Sequence, residues 1–343
     1  MPRGSFDTGA SPVPLHGTRT PGQQPPPVKG VEQGSAIQHA VAGLRQARAS
    51  WRIRQDEGRD VASFPSRAAL DEVVATLAAA LYPRRIGRFR GSAAGEDAFV
   101  AAKLLAAAAD LEREVSGELG YWEGEARDGR FDADAAGTIV RLFLRSLDEV
   151  RRLIDSDVEA AFLGDPAARS VDEILTAYPG AIASLNHRLA HVLDSLGAPI
   201  VARLISESAN ERTGIDIHPG ATIGENFFID HGTGVVIGET AIIGRRVRLY
   251  QHVTLGARTP LGTVAVGPTQ RHARHPIVED DVVIYAGATI LGRVTIGKGA
   301  TIGGNVWLLA DVAPGSVVVQ PEARELPAST AGDLRAALEG VDR

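Results

Sequence analysis

Between Ile215 and Val319 an aliphatic residue returns every six positions, a period that fits neither an α-helix at 3.6 nor a simple strand at 2.0. The series runs Ile217, Ile223, Ile229 and Val235, slips by two, and resumes as Ile237, Ile243, Leu249 and Leu255. After an interruption it returns as Val278, Ile284, Ile290, Ile296, Ile302 and Leu308. Glycine follows several of these residues, as at Ile223-Gly224 and Ile243-Gly244, and small or β-branched residues stand two places before others, as at Ala221, Ala241, Ala288, Val294 and Ala300. Such a hexad specifies a coil with three short strands per turn, in which each periodic side chain points inward and stacks on its counterpart one turn away. Glycine relaxes the backbone at the bends, and β-branched residues suit the flat strands. The stretch 214–320 therefore reads as a parallel β-helix with one long loop excursion.

The text before it is of another kind. Ala, Leu, Arg and Glu dominate, a shift from strand formers to helix formers, and a chain of 343 residues has room for two domains. Residues 1–34, rich in Pro, Gly, Ser and Thr, bury too little to offset their ordering entropy and read as a disordered arm. Residues 35–213 read as an α-helical domain of six to eight helices. Leu147, Val150, Ile154, Val158 and Ala161 form one apolar stripe, with similar patterns in Ala68–Leu81 and Phe99–Leu111. Pro65, Pro83, the Gly91 to Gly95 region and Asp128-Gly129 punctuate them. Ser170 followed by Glu173 fits a capping box after the break at Gly164-Asp165-Pro166. Residues 321–343 read as a C-terminal tail.

With 36 Lys and Arg against 42 Asp and Glu, the formal charge of −6 leaves no broad basic surface for nucleic acid or an anionic membrane. No apolar run approaches the ~18 residues of a spanning helix, and no signal-like start is present, so a cytoplasmic location is the expectation. The absence of cysteine excludes a disulfide framework, a thiolate zinc site and a cysteine nucleophile together.

Histidine is unevenly placed, with five of nine between His218 and His275. His231 and Asp216 stand fifteen apart, a little short of one turn of about eighteen residues if three hexads close a coil, so they face each other from neighbouring turns or lie apart as surface polar residues. A carboxylate on one ring nitrogen would fix the tautomer and raise the basicity of the other, as deprotonating a hydroxyl requires. The interruption carries Arg258, Arg271, His272, Arg274 and His275, which suit either a carboxylate or a solvated basic loop. Asp165 reads by itself as a turn or cap residue. His187 and His191 share a helix face but have no third ligand nearby and read as packed or exposed.

These residues also carry a resemblance. DIHPGATIG from Asp216, FFIDHGTGVVIGETA from Phe227, QHVTLGA from Gln251, RHP from Arg274, VIYAGATILG from Val283 and IGKGATIGGNVWL from Ile296 are similar to the serine O-acetyltransferases of the hexapeptide acyltransferase superfamily. LGDPAARSVDEIL, YPG and HRLAH extend the likeness upstream to cover roughly Asp165 to Val319. The resemblance implies an α+β chain, with a helical domain followed by a left-handed β-helix that transfers acetyl from acetyl-CoA to L-serine for cysteine synthesis. It implies His231 as general base and Asp216 as its orienting partner. Asp165 and Asp230 would hold the amino and hydroxyl side of serine, and Arg274 and His275 its carboxylate. Acetyl-CoA, a co-substrate, would lie between subunits near Gly256, Ala257, Ala286 and Gly304, with no metal. A homotrimer or a dimer of trimers follows, with cysteine as feedback inhibitor.

Two departures matter. The loop before RHP is longer than the short glycine-rich loop of many relatives, and the chain ends Gly-Val-Asp-Arg instead of with the terminal isoleucine that engages cysteine synthase, which speaks against that complex. Competing readings are another hexapeptide acyltransferase with a different acceptor, a metal hydratase on the same coil, and a scaffold without catalysis.

Overall fold

The structure, a computed structural model, describes residues 29–54, 64–125, 131–258 and 272–321. Residues 1–28 of the expected arm, Asp128-Gly129, Arg271 and most of the loop before it, and all but the first residue of the expected tail lie outside the described residues. Helix α1 (Lys29–Arg54) forms a unit of its own and begins six residues before the helical boundary read at residue 35. Its described apolar side chains Ile37, Val41 and Leu44 are exposed.

The second unit contains seven helices among the described residues: α2 (Arg67–Leu81), α3 (Ala93–Glu125), α4 (Ala135–Arg145), α5 (Leu147–Gly164), α6 (Val171–Ala177), α7 (Pro179–Ser195) and α8 (Pro199–Thr213). The stripe on α5 faces inward as its spacing predicts, with Leu147, Val150, Ile154, Val158 and Ala161 all buried beside Phe143, Leu189 and Leu193. Gly95 stands inside α3 and not between helices. Ser170 caps α6 by accepting from the Glu173 N–H at 3.0 Å, while Glu173 reaches past the cap to the Arg169 N–H at 2.8 Å. Buried Glu118 of α3 accepts from the Ile200 and Val201 N–H groups, both at 2.8 Å, and so satisfies donors that the start of α8 would otherwise leave orphaned. Gly214, at φ 69°, ends α8 in the left-handed conformation and turns the chain into the coil.

Three parallel sheets make the coil. One face stacks β1 (Asp216–Ile217), β4 (Val236–Ile237), β7 (Thr254–Gly256), β10 (Thr289–Leu291) and β13 (Trp307–Leu308). The second stacks β2 (Thr222–Ile223), β5 (Ile242–Ile243), β8 (Ile277–Val278) and β11 (Thr295–Ile296). The third stacks β3 (Phe228–Ile229), β6 (Arg248–Leu249), β9 (Val283–Ile284), β12 (Thr301–Ile302) and β14 (Val317–Val318). The hexad aliphatics pair with one another in register, Ile217 with Ile237, Ile237 with Leu255, and Leu255 with Ile290. They form a continuous buried column.

The first turn is longer than the hexad predicts. Asp216 pairs with Val236, twenty positions on, whereas Val236 pairs with Thr254, eighteen on. The two extra residues are the frame slip after Ile229. They sit in the turn Asp230 to Gly234, where His231 (φ 58°), Gly232 (φ 87°) and Gly234 (φ 75°) take left-handed conformations. The excursion lengthens a later turn, so that Thr254 pairs with Thr289.

The helices are fixed to the first turn of the coil by a buried ion pair. Arg188 of α7 bonds both oxygens of Asp157 on α5 at 3.1 Å, with side chains 4% and 2% exposed. Asp157 also accepts from Ser184 and from the Phe227 N–H, and Arg188 donates to the carbonyls of Ile223 and Gly224. Burial pushes the Asp157 carboxyl up, and Arg188, Ser184 and the Phe227 N–H pull against it. With four donors converging, the group is held as the carboxylate. Breaking such a pair strands a buried charge, so Asp157→Ala or Arg188→Met is expected to cost about 3 to 5 kcal/mol. Chemical denaturation of the purified variants measures this, and a loss below about 1 kcal/mol, the size of an exposed pair, contradicts it.

Candidate active site

The expected site residues fall on two corners of the coil. At the corner from the third face to the first, β3 delivers Asp230 and His231, and the end of α5 delivers Asp165. Gly164 makes the approach possible: a Cβ there would stand 3.0 Å from the Phe228 ring and 3.5 Å from Arg248 Nη1. Asp165 accepts from the Tyr178 hydroxyl at 2.6 Å and the Ala167 N–H at 2.8 Å. These bonds, the Tyr178 one foremost, lower its pKa, and the charges of Arg248 and His231 act in the same direction. The same bond pushes the Tyr178 phenol up to about 12. Asp230 accepts from Arg248 Nη2 at 2.8 Å. The His231 ring projects outward, 72% exposed, with Nε2 3.9 Å from Asp230 Oδ1.

Asp216 lies one turn below, at the start of β1. The turn that carries His231 is laid directly over this junction, for Gly234 N–H donates to Gly214 O at 2.8 Å and Gly232 abuts Ile215. Among the described residues no hydrogen bond joins Asp216 to His231. Asp216 stands 4.0 Å from Arg203 of α8, which is itself paired with Glu207. Burial raises the Asp216 carboxyl, Arg203 lowers it, and Glu207 adds to the rise.

At the corner from the first face to the second stand Arg274 and His275. Thr240 organises both: its Oγ1 accepts from the Arg274 N–H at 3.0 Å and the His275 N–H at 3.2 Å, and its own N–H donates to His275 Nδ1 at 3.1 Å. That last bond leaves Nδ1 as acceptor, so the proton of the neutral ring sits on Nε2 and can be donated to an anion. Gly238 makes room for the ring, since a Cβ there would fall 2.2 Å from Nε2. Arg293 closes the corner by donating to the carbonyls of Thr240 at 2.6 Å and His275 at 3.0 Å. Burial, then Arg274 and Arg293, push the His275 imidazole down to about 4.

The expected acetyl-CoA positions are distributed over both corners. Ala286 and Gly304 occupy successive turns on the His231 corner, where a Cβ on Gly304 would meet Ala286 O at 3.2 Å. Gly256 ends β7 and Ala257 follows it, on the way to the Arg274 corner; a Cβ on Gly256 would meet Leu291 at 2.9 Å. At both glycines it is the coil's own packing that leaves no room for a larger side chain. Sequence reasoning missed Arg248, Tyr178, Arg293 and the role of Thr240. His187 and His191 are packed, with rings 5.6 Å apart; His187 is buried with both ring nitrogens unbonded, and His191 Nδ1 meets Pro219 O at 2.8 Å. Among the described residues no group of three or more His, Cys, Asp or Glu side chains is placed to hold a metal.

A prism of stacked hexads with an exposed imidazole beside two carboxylates defines a hexapeptide-repeat transferase. Residues 275–310 match the family model described as bacterial transferase hexapeptide (six repeats). The chain is 48% identical over 267 residues to a plasmid-encoded serine acetyltransferase of Synechococcus elongatus, covering 76% of this chain and 83% of that one. It is 46% identical over 177 residues to the Bacillus subtilis serine acetyltransferase, covering 49% and 77%. Among solved structures, serine acetyltransferase 1 of Entamoeba histolytica, in complex with L-cysteine, superposes with a TM-score of 0.63 at 36% identity, covering 72% of this chain and 86% of that one. The chain belongs to the serine acetyltransferase family, and its coil is the left-handed β-helix of that family. No helix among the described residues is long and apolar enough to cross a membrane.

The depressed His275 gives a prediction. Its ring is neutral in the fold, so the stability it contributes is present above the ordinary value of 6.5 and is lost as pH falls toward about 4. NMR of the ring is expected to show no protonation between pH 8 and about 5. A midpoint near 6.5 contradicts the buried, Thr240-bonded ring.

Proposed function

We propose that this protein transfers the acetyl group of acetyl-CoA to the hydroxyl of L-serine, with His231 as general base. The observation that carries this reading is the convergence of Asp165, from the end of α5, and Asp230, from the coil, beside His231. Serine Oγ attacks the thioester carbonyl carbon as His231 takes the hydroxyl proton. The C–O bond forms, the C–S bond breaks, and the proton passes to the departing thiolate of CoA. Asp216 positions the imidazole from the turn below, Asp165 and Asp230 face the ammonium, and Arg274 with the Nε2–H of His275 takes the carboxylate.

In one chain the acids and the carboxylate-binding pair stand on different corners. Two different patches that must meet make a heterologous contact, and three copies close it into a ring. The reading therefore includes a homotrimer, alone or as a pair of trimers, in which each site uses the His231 corner of one subunit and the Arg274 corner of the next. Acetyl-CoA lies in the groove between them along Ala286, Gly304, Gly256 and Ala257. Cysteine, with a thiol where serine has its hydroxyl, fits the same groups and is the expected feedback inhibitor.

The test follows thiol release from acetyl-CoA with L-serine, threonine, homoserine and a galactoside. Serine is expected to be much the fastest acceptor, and His231→Ala is expected to lower kcat by about 10² to 10⁴ with acetyl-CoA binding intact. A sugar used as well as serine, or near-normal turnover in the variant, overturns the assignment.

A further inference from the structure

The two acids of the acceptor corner are not equivalent. Among the described residues Asp165 accepts from neutral donors, the Tyr178 hydroxyl and the Ala167 N–H. Asp230 is already paired, for Arg248 Nη2 donates to its Oδ2 at 2.8 Å, and the two side chains are 26% and 15% exposed. Nothing in the transfer chemistry calls for a second cation here. An ammonium must be bound at this corner, and a guanidinium beside it works against that.

Arg248 is also held in place. Its guanidinium carbon lies 4.8 Å from the centre of the Phe228 ring and 4.8 Å from that of Tyr250. Tyr250 is braced in turn by Tyr285, stacked at 5.0 Å and 14°. A Cβ on Gly164 would stand 3.5 Å from Arg248 Nη1, and among the described residues Arg248 Nε is buried without a hydrogen-bond partner. Leaving a donor of a charged group unsatisfied is costly. The aromatic stacking and the Asp230 bond therefore fix the position of this charge.

We propose that Arg248 determines acceptor selectivity: bonded to Asp230 and set beside Asp165, it brings the two carboxylates of the corner to one net negative charge, and so sets how strongly the pocket favours an ammonium over an acceptor that lacks one. The proposal rests on the amino-acid acceptor reading above. The charged and ionisable groups that face the acceptor here are Asp165, Asp230, His231, Arg248 and the phenols of Tyr178 and Tyr250. With Arg248 in place the carboxylates and the guanidinium sum to one negative charge. Without it they sum to two. Arg274 and His275, on the other corner, are unaffected by the change.

The experiment compares Arg248→Gln, which removes the charge, with Arg248→Lys, which keeps it. It measures KM for L-serine and the inhibition constant of 3-hydroxypropanoate, which has serine's carboxylate and hydroxyl but no ammonium. Removing one neighbouring charge in a partly solvated site is worth roughly a three- to ten-fold change in binding. In Arg248→Gln the serine KM is expected to fall and the 3-hydroxypropanoate constant to rise, each roughly three- to ten-fold, while Arg248→Lys stays near the wild type. Both constants rising in Arg248→Gln would show that Arg248 binds the carboxylate itself and would overturn the proposal. So would no change in either, or a Lys variant that behaves like Gln. Should the Gln variant not fold, Arg248→Met, which keeps an apolar stem against Phe228 and Tyr250 while removing the charge, must give the same two shifts, and no shift in it overturns the proposal. Wild-type protein that ignores serine altogether sinks the parent reading instead, which keeps the two failures apart.

Discussion

Asp157 and Arg188 decide where everything else stands. A hexad coil supplies its own inward column of aliphatics, but its first turn has no preceding turn to cover it, and the helices must be fitted there in one orientation. The buried pair does this with directional bonds: Arg188 takes the carbonyls of Ile223 and Gly224, and Asp157 takes the Phe227 N–H. Apolar packing of α5 on β3 is compatible with small slides and rotations, whereas a bidentate pair tied to three backbone groups is not. Asp165 lies eight residues beyond Asp157, at the end of the same helix, so the pair that anchors α5 also aims the carboxylate at Asp230 and His231.

The His231 corner departs from the repeat in the place where regularity would have been useless. A regular hexad corner turns the chain and offers small side chains. The two extra residues after Ile229 instead produce a bulged turn that lifts His231 clear of the prism while the column inside continues from Ile229 to Leu249 without a gap. The second corner solves the opposite problem. Thr240 and Gly238 bury His275 and hold it neutral, so it offers a fixed N–H next to the permanent charge of Arg274.

Much of the coil was legible in the sequence because one inward residue per hexad is a strict geometric demand, and the frame slip and the interruption were visible as breaks in it. The α5 stripe and the Ser170 cap were legible for the same reason, since helix periodicity and capping are local. Long-range polar pairing left no such trace. Arg248 occupies an outward strand position that any residue can fill, and Tyr178 was visible only as the first residue of YPG, with no role attached. Their partners, Asp230 and Asp165, are eighteen and thirteen positions away. Thr240 was visible only as a member of a motif, because its work is done through backbone bonds to residues on the far side of a long loop. The start of α1 at Lys29 was also missed, in a stretch whose composition reads as an arm.

On the proposed reading, each active site is assembled from the His231 corner of one subunit and the Arg274 corner of its neighbour. Mixing subunits that carry His231→Ala with subunits that carry Arg274→Ala, after reversible dissociation, tests it directly. Each homogeneous variant is crippled, but a mixed trimer contains one interface at which an intact His231 meets an intact Arg274, so random mixing is predicted to restore about a quarter of the wild-type sites. If activity after mixing stays at the average of the two variants, both corners serve the same site within one chain, and the shared site is contradicted.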